Sequence, residues 1–408
     1  MKTRRHHVSE DAVTISRQSS TSIDRRENSE AIPTDLIFEI LLRLPAKSIA
    51  RCRCVSKLWS SILLRLDFTE LFLTRSSTLP QLLFSFEKTG ELFFFTAPQI
   101  QNPDENSSLV SPSYHMKVPF DRTSQICGHV RGLLCLTHLR VLKGRKETVP
   151  MICNPSTGQA LPLPKVKTRR VKVRSFLVYD PIEKLFKLLS MTWPCYGNGE
   201  KNCEEYQILT LGTQTLSWRM IDCCLPHHPA HDGICIDGCL YYQAMVGRLS
   251  GISTIVCFDV RSEKFRFVKK ARGMVLYGQS ALVNYQGRLG AIQSDELHGI
   301  ITGQTRSLEL WVLVDAEKHQ WSRHVYALPP MWKNVVAEAE LHIVGRTGTN
   351  EIVLSRRYSS DTFYVFYYNP ERNTIVRVEI QGMDEFKGRR VHTFLDHVED
   401  VKLLHYNL

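Results

Sequence analysis

One phrase recurs along this chain and restricts its fold more than any other feature. It is an apolar run, then an Asn or Asp among turn-forming residues, then a second run of β character. It appears as ICNPSTGQALPLP from Ile152 and FLVYDPIEKLFKLL from Phe176, and, with Gly212-Thr213 in place of the Asn or Asp, as ILTLGTQTLSWRMI from Ile208. It returns as VCFDVRSEKFRFV from Val256, WVLVDAEKHQWSRH from Trp311 and VFYYNPERNTIVRV from Val365. Each reads as a β-hairpin, in which the Asn or Asp side chain caps the turn and the next apolar residue re-enters a core. A second phrase, a Gly-containing turn feeding an apolar strand, alternates with the first. It spans Gly128 to Leu136, Gly233 to Tyr242, Asn284 to Ile292 and Gly345 to Leu354.

The later hairpins return about every 50 residues, a blade-sized repeat. The two phrases also keep their order, which favours a β-propeller over a hairpin-rich β-sandwich. Four-stranded blades pack face on face, and closing the ring leaves few free strand edges. The predicted fold class is therefore mainly β, with a β-propeller-like domain of about six blades.

A different texture precedes it. The run Ile32 to Ile62 reads IPTDLIFEILLRLPAKSIARCRCVSKLWSSI. Leu36, Ile37, Ile40, Leu41 and Leu44 fall at helical intervals and predict one apolar stripe. Pro33 suits the first turn, Asp35 complements the helix dipole, and Pro45 ends the element. A second short helix is expected over Ser48 to Val55. A third is expected after an N-cap at Ser56, running through Leu58, Trp59 and Ile62. Three short helices cannot hide Phe38, Leu42, Leu58 and Trp59 together, so some of these should meet a partner.

The 408 residues divide on this reading into a polar, disordered tail at 1–29, a three-helix module at 30–75 and the β-domain at 80–405. The apolar fraction of 43% is ordinary for a soluble globular protein. No stretch approaches the roughly 18 apolar residues that span a membrane. The start, Met-Lys-Thr-Arg-Arg-His-His, lacks the apolar core of a secretory signal. The twelve cysteines are accordingly expected as buried thiols in a reducing compartment, and the Asn106-Ser107-Ser108 sequon as inert. Nucleus or cytoplasm is the expected location. The net charge of +11 is partly local, with Lys165, Lys167, Arg169, Arg170, Lys172 and Arg174 close together. A solvated strand edge or loop explains that run; an import signal or a patch for an acidic partner is the functional alternative.

Catalytic and metal signatures are weak. His227, His228, His231, Cys235 and Cys239, with Cys223 and Cys224 ahead of them, make the best metal candidate. Their spacings are irregular for zinc, and thiols filling blade cores explain them more simply. Cys52 and Cys54 are too closely spaced for chelation. No nucleophile elbow, P-loop or dinucleotide fingerprint is present. Asp180, Asp259 and Asp315 stand at turn positions, where capping is the default role. A propeller enzyme, such as a glycan hydrolase or oxidase, would need paired carboxylates or a metal cluster in its central mouth. No catalytic residue, cofactor or metal site is assigned, and neither nucleic acid nor membrane is expected as a partner.

The helical run resembles the F-box. The likeness lies in Ile32-Pro33, in ILLRLP from Ile40 to Pro45, in Lys47-Ser48-Ile49 and in Val55-Ser56-Lys57-Leu58-Trp59. Ile32 stands where the family usually has Leu, and Ser56 where Cys is frequent. The β-region resembles the kelch-like F-box-associated domain of the large plant F-box family. That likeness lies in SSTLPQLLFSF from Ser76, Gly132-Leu133-Leu134-Cys135-Leu136, Cys153 to Gly158, Tyr179-Asp180-Pro181, Leu211-Gly212-Thr213 with Trp218-Arg219, and Phe258-Asp259-Val260. The resemblance implies docking on the Skp-like adaptor of a cullin–RING ubiquitin ligase, with Pro33, Leu36, Ile40, Leu44, Pro45 and Trp59 at or near the contact. It implies a substrate-recognition subunit of an SCF-type ligase, with a target protein held by loops at one end of the ring and by its central mouth, where exposed aromatics and arginines are the usual anchors. Trp193, Tyr196, Trp332 and the basic run near Arg169 are candidate target contacts. A propeller scaffold acting outside any ligase is the remaining alternative.

Overall fold

The computed structural model describes residues 32–101, 103, 109–170, 172–194, 204–213, 215–247, 252–276, 280–296 and 300–404. The tail at 1–29, the sequon at 106–108 and the loop at 195–203, with Tyr196, lie outside the described residues.

Two kinds of hairpin build the β-region, and each follows from its turn residues. The first is the Asx turn. Asp180 Oδ1 accepts from the amides of Ile182 and Glu183 at 2.9 and 3.1 Å. Asn154, Asp259, Asp315 and Asn369 do the same work in their own turns. Four residues after each of these five caps, the chain takes a positive φ, at Gly158, Lys184, Glu263, His319 and Asn373. The second kind is a two-residue turn with both residues at positive φ, as in Arg131-Gly132, Asp237-Gly238 and Gln286-Gly287. Such turns match the natural twist of the strands they join.

These hairpins assemble six four-stranded antiparallel blades. Blade 2 holds Gln125–Val130, Leu133–Leu142, Arg145–Asn154 and Gln159–Pro162, from the ring axis outward. Blade 3 holds Lys172–Asp180, Leu185–Trp193, Glu205–Thr210 and Arg219–Ile221. Blade 4 holds His227–Ile236, Cys239–Val246, Ile252–Asp259 and Lys264–Val268. Blade 5 holds Ala281–Tyr285, Arg288–Ser294, Ser307–Asp315 and Gln320–Ala327. Blade 6 holds His342–Arg346, Ile352–Ser355, Phe363–Asn369 and Thr374–Ile380, with Leu109–Val110 added in parallel at its outer edge. Blade 1 is composite. Gln81–Lys88, Glu91–Pro98 and Ser113–Pro119 come from its start, and the inner strand Val391–His397 comes from the far end of the chain. Pairing of Phe84 with Thr393 and of Phe86 with Val391 closes the ring.

The packing decides between propeller and sandwich. A sandwich pools its apolar side chains in one core. Here they form a separate cluster between each pair of neighbouring blades. Ile152 of blade 2 packs with Leu188 and Leu209 of blade 3, and Val178 of blade 3 with Tyr242 and Phe258 of blade 4. Leu83 and Phe94 of blade 1 meet Leu134 and Cys153 of blade 2. The closing seam is the most aromatic. Phe86 lies with its ring centroid 4.8 Å from Phe386, 5.8 Å from Phe95 and 6.0 Å from Phe363. Aromatic burial is a large apolar contribution per residue, and here it backs the non-covalent pairing of Gln81–Lys88 with Val391–His397 that closes the ring.

One expectation about the repeat needs correction. Four of the Asx hairpins, and the Ile208 phrase that turns on Gly212, form the outer two strands of a blade, but the Asx hairpin of the Phe176 phrase forms the inner two strands of blade 3. An Asx turn fits any hairpin, so the phrase alone does not fix a place in the blade.

The helical unit comprises α1 (Thr34–Leu42), α2 (Ala46–Cys52), α3 (Lys57–Leu64) and α4 (Leu66–Ser77). It has one more helix than the three expected. α1 stops three residues before Pro45, which instead precedes α2, and α2 ends at Cys52 rather than Val55. Ser56 does cap α3, its Oγ accepting from the Trp59 amide at 3.1 Å. Ile37, Leu41, Ile49, Ile62, Leu63 and Phe68 form the core, with Phe38 edge-on to Phe68 at 5.2 Å.

Candidate functional site

Two surfaces stand out, at opposite ends of the molecule. The first is on the helical unit. The single apolar stripe expected on α1 is in fact two faces: Ile37 and Leu41 point inward, while Leu36 and Ile40 stay 55% and 49% exposed. Pairs four residues apart share a helix face, so Leu36 and Ile40 present one outward apolar ridge. Pro33 and Pro45 are exposed, and Leu44 and Trp59 are half-buried. Leu58 is exposed, whereas Phe38 and Leu42 are largely covered by the unit's own core. Ridges of this kind on a small folded unit are what partner surfaces cover.

A strap ties this unit to the propeller. After the inner strand of blade 1, residues 398–404 cross the inner turns of blades 2 and 3. Val401 is buried in the helical core. Its carbonyl accepts from the Arg53 guanidinium, and the Glu399 carboxylate accepts from the Ala46 amide at 3.2 Å. On the propeller side, Asn154 Nδ2 donates to the carbonyls of Asp400 and Lys402 at 2.9 and 3.1 Å. Lys184, in the blade 3 turn, pairs with Glu70 of α4 at 2.8 Å. Gly132 is required where the strap crosses: its φ is +81°, and a Cβ there would lie 2.4 Å from the Val398 carbonyl oxygen.

The second surface is the central channel, a cavity of about 560 Å³ lined by the inner strands. Inner strands run from the end remote from the helices toward the strap, so residues at their starts form the far mouth. There Arg174, His231, His342, Arg357, Arg390 and His392 gather from blades 3, 4, 6 and 1. The two loops carrying Arg357 and Arg390 are fastened to each other. The Val391 amide donates to the Arg357 carbonyl at 2.9 Å, and the Ser359 amide to the Arg389 carbonyl at 2.9 Å. The carboxylates near this mouth are Asp232, which pairs with Arg174, and Glu87, 2.9 Å from His392 and 3.8 Å from Arg390; Asp396 lines the same cavity nearer the strap. Burial, then Arg390, lowers the tendency of Arg357 to stay charged. Burial, reinforced by Arg357, brings His342 down to about 4. Burial, followed by Arg174 and Arg357, also lowers His231.

The other sequence candidates disperse. Trp332 is not a target contact: it is buried between blades 5 and 6, its indole donating to the Thr302 carbonyl at 2.9 Å. Trp193 stacks on His228 at 5.3 Å, and Arg169 is exposed. Within the basic run, Lys165 pairs with Glu147, Arg170 with Glu205 at 3.5 Å and Arg174 with Asp232. The run is therefore largely tied to the blades. The proposed metal set does not converge, and no His, Cys, Asp and Glu cluster able to hold a metal occurs among the described residues. His227 lies between Tyr206 and Tyr242, with Nδ1 2.8 Å from the Leu225 carbonyl and Nε2 2.6 Å from the Tyr242 hydroxyl. Every described cysteine is a free thiol, with Cys127, Cys135, Cys153 and Cys257 buried and Cys54 and Cys224 exposed. Sequence reasoning missed Arg357, Arg390 and the exposed Tyr358 beside them, although the Arg356-Arg357 and Arg389-Arg390 pairs were a readable signal.

A small helical unit with an outward apolar ridge, strapped to a closed six-bladed ring, defines an F-box joined to an interaction propeller. The F-box domain family matches residues 30–72, and the F-box associated beta propeller domain family matches residues 81–398. The chain belongs to the F-box proteins that carry an F-box-associated β-propeller. Among its relatives is F-box protein DOR of Arabidopsis thaliana, 52% identical over 99% of this chain and 100% of that one. F-box protein At5g65850 of Arabidopsis thaliana is 49% identical over 99% of each chain. Among solved structures, TolB from Acinetobacter baumannii aligns with a TM-score of 0.44 at 8% identity, over 84% of this chain and 73% of that one.

Proposed function

We propose that this chain is the substrate-recognition subunit of an SCF-type ubiquitin ligase. The F-box would dock on a Skp-like adaptor, and the propeller would hold a target protein for ubiquitination. The observation that carries this reading is the outward ridge of Leu36 and Ile40 on a folded F-box that already has its own core. Pro33, Leu44, Pro45 and Trp59 complete the proposed contact.

In this role the chain needs no nucleophile. Catalysis comes from proximity, because tethering the target near a charged ubiquitin-conjugating enzyme makes their encounter intramolecular. The strap supports that logic, since a fixed angle between F-box and ring holds the target in place. Asp180, Asp259 and Asp315 are occupied in turn caps, which favours an adaptor over a propeller hydrolase.

Co-purification with a Skp-like adaptor tests the reading. The wild type should retain the adaptor, and Leu36→Asp/Ile40→Asp should lose it at least about tenfold while the melting temperature holds, since both sites are exposed. Equal retention by the double variant would overturn the assignment.

A further inference from the structure

We propose that the channel mouth facing away from the F-box is the target-recognition site and binds an acidic peptide segment through Arg174, Arg357 and Arg390. This rests on the reading of the chain as a substrate-recognition subunit.

The argument begins with charge. Three arginines from blades 3, 6 and 1 converge on one opening beside His231, His342 and His392, against the carboxylates of Asp232 and Glu87, with Asp396 further along the channel toward the strap. Asp232 is 85% exposed, so water screens much of what it gives Arg174. Like charges held together repel, and a ligand carrying the opposite charge relieves that repulsion as it binds. Low-dielectric channel walls strengthen the attraction further.

The second strand of the argument is unused bonding capacity. Arg174 Nε and His342 Nδ1 are buried at this mouth and have no hydrogen-bond partner. A buried polar atom without a partner costs roughly 1–3 kcal/mol, so its retention at a cavity wall points to a ligand that satisfies it. Carboxylates suit these groups, since guanidinium forks pair with them in two-point fashion.

Pre-organisation is the third. The loops bearing Arg357 and Arg390 are stitched by backbone hydrogen bonds and by pairing of Tyr358 with Arg390. Little ordering is left for binding to supply. Tyr358, 60% exposed at the same edge, offers an aromatic surface for the peptide's apolar atoms. An extended segment fits the dimensions, because a cavity of about 560 Å³ admits side chains but not a folded domain.

The test uses the full chain co-purified with its adaptor and a fluorescently labelled oligoglutamate peptide, followed by anisotropy. Arg357→Ala/Arg390→Ala should weaken binding at least about tenfold. Arg288→Ala/Arg372→Ala removes the same charge from exposed turns at the F-box end and should weaken it less than about twofold. Oligolysine of equal length should not bind, and melting curves of both variants should match the wild type. Absence of oligoglutamate binding, or equal losses in the two double variants, overturns the proposal. Adaptor retention in the same samples separates the two readings. Lost adaptor with intact, mouth-dependent peptide binding removes the ligase assignment and leaves the mouth as an acidic-peptide site. Retained adaptor without peptide binding does the reverse.

Discussion

The F-box and the propeller handle the same problem, apolar side chains in water, in opposite ways. The F-box packs one small core and leaves Leu36, Ile40 and Leu58 outside it. The propeller spreads its apolar residues over the seams between blades and presents charge at its mouth. A unit of some 45 residues cannot bury all it carries, so its surplus becomes a docking face. A ring can add blades until its seams are filled, and its selectivity then falls to loops and the channel. The difference teaches where each region should be fragile.

The largest effect is expected at the closing seam. Phe86→Ala would open a cavity among Phe84, Phe95, Phe363 and Phe386, all buried. Such truncations cost about 3–5 kcal/mol. The loss falls on the strand whose pairing with Val391–His397 joins the first and last strands of the ring, so the propeller should melt earlier and less cooperatively, measurable by calorimetry. A change under about 1 kcal/mol would show that the strap, rather than the aromatic seam, holds the ring closed.

Acid should separate the two regions next. The described F-box helices contain no histidine, whereas the propeller buries several. Burial brings His115, His129, His227 and His342 down to about 4, and burial with His129 and His115 nearby takes His397 well below its ordinary value. A group depressed on folding contributes stability that is complete above its unfolded value near 6.5. That contribution is lost as pH falls toward 4. Asp396, Glu399 and Asp400 act with the opposite sign, because burial raises them and protonation favours their folded form. The histidines are more numerous and titrate first in the unfolded chain. The propeller melting temperature should therefore drop between pH 7 and 5, and His129→Gln should reduce the slope. Hydrogen exchange at both pH values should find the loss in blades 1, 2, 4 and 6, with the F-box core little changed.

The strap that joins the regions comes third. Gly132→Ala forces a Cβ toward the Val398 carbonyl at a positive φ, a strain of about 2 kcal/mol. Limited proteolysis should then cut within 398–404 faster, while the blade seams keep their protection. Unchanged cleavage would mean that the F-box is held by the Lys184–Glu70 pair and its own core contact instead.

How much of this was legible depends on the range of the interactions. The Asx turns were readable because the capping oxygen and the amides that donate to it lie within four residues, and the helix cap at Ser56 for the same reason. α4 was missed because Asp67, Glu70 and Thr74 dilute its pattern and the buried Thr69 is polar, leaving Phe68 and Phe72 as its buried apolar pair at helical spacing. The place of the Phe176 hairpin was hidden, since turn chemistry does not report a position in the blade. Trp332 misled: a large aromatic reads equally well as a contact or as core, and only the seam between blades 5 and 6 decides. The mouth was least legible. Arg174, Arg357 and Arg390 are far apart in the chain and meet only through ring closure.

The smallest expected effect tests the turns themselves. Of the five capped hairpins, only the Asn154 turn places glycine at its positive-φ position, Gly158. Lys184, Glu263, His319 and Asn373 hold that conformation with a side chain attached, at φ of 54, 57, 54 and 49°. A residue other than glycine there pays roughly 1 kcal/mol in backbone strain. Lys184 pairs with Glu70 of α4, Glu263 pairs with Lys187, and Asn373 accepts from the Tyr368 hydroxyl at 3.1 Å. His319 has a buried Nδ1 without a hydrogen-bond partner. His319→Gly should therefore stabilise the propeller by about 0.5–1 kcal/mol, less the added entropy of the unfolded chain. Lys184→Gly, which also removes the link to α4, should show no gain. A thermal melt of both variants distinguishes them, and equal gains would mean that the Lys184–Glu70 pair contributes nothing to joining F-box and ring.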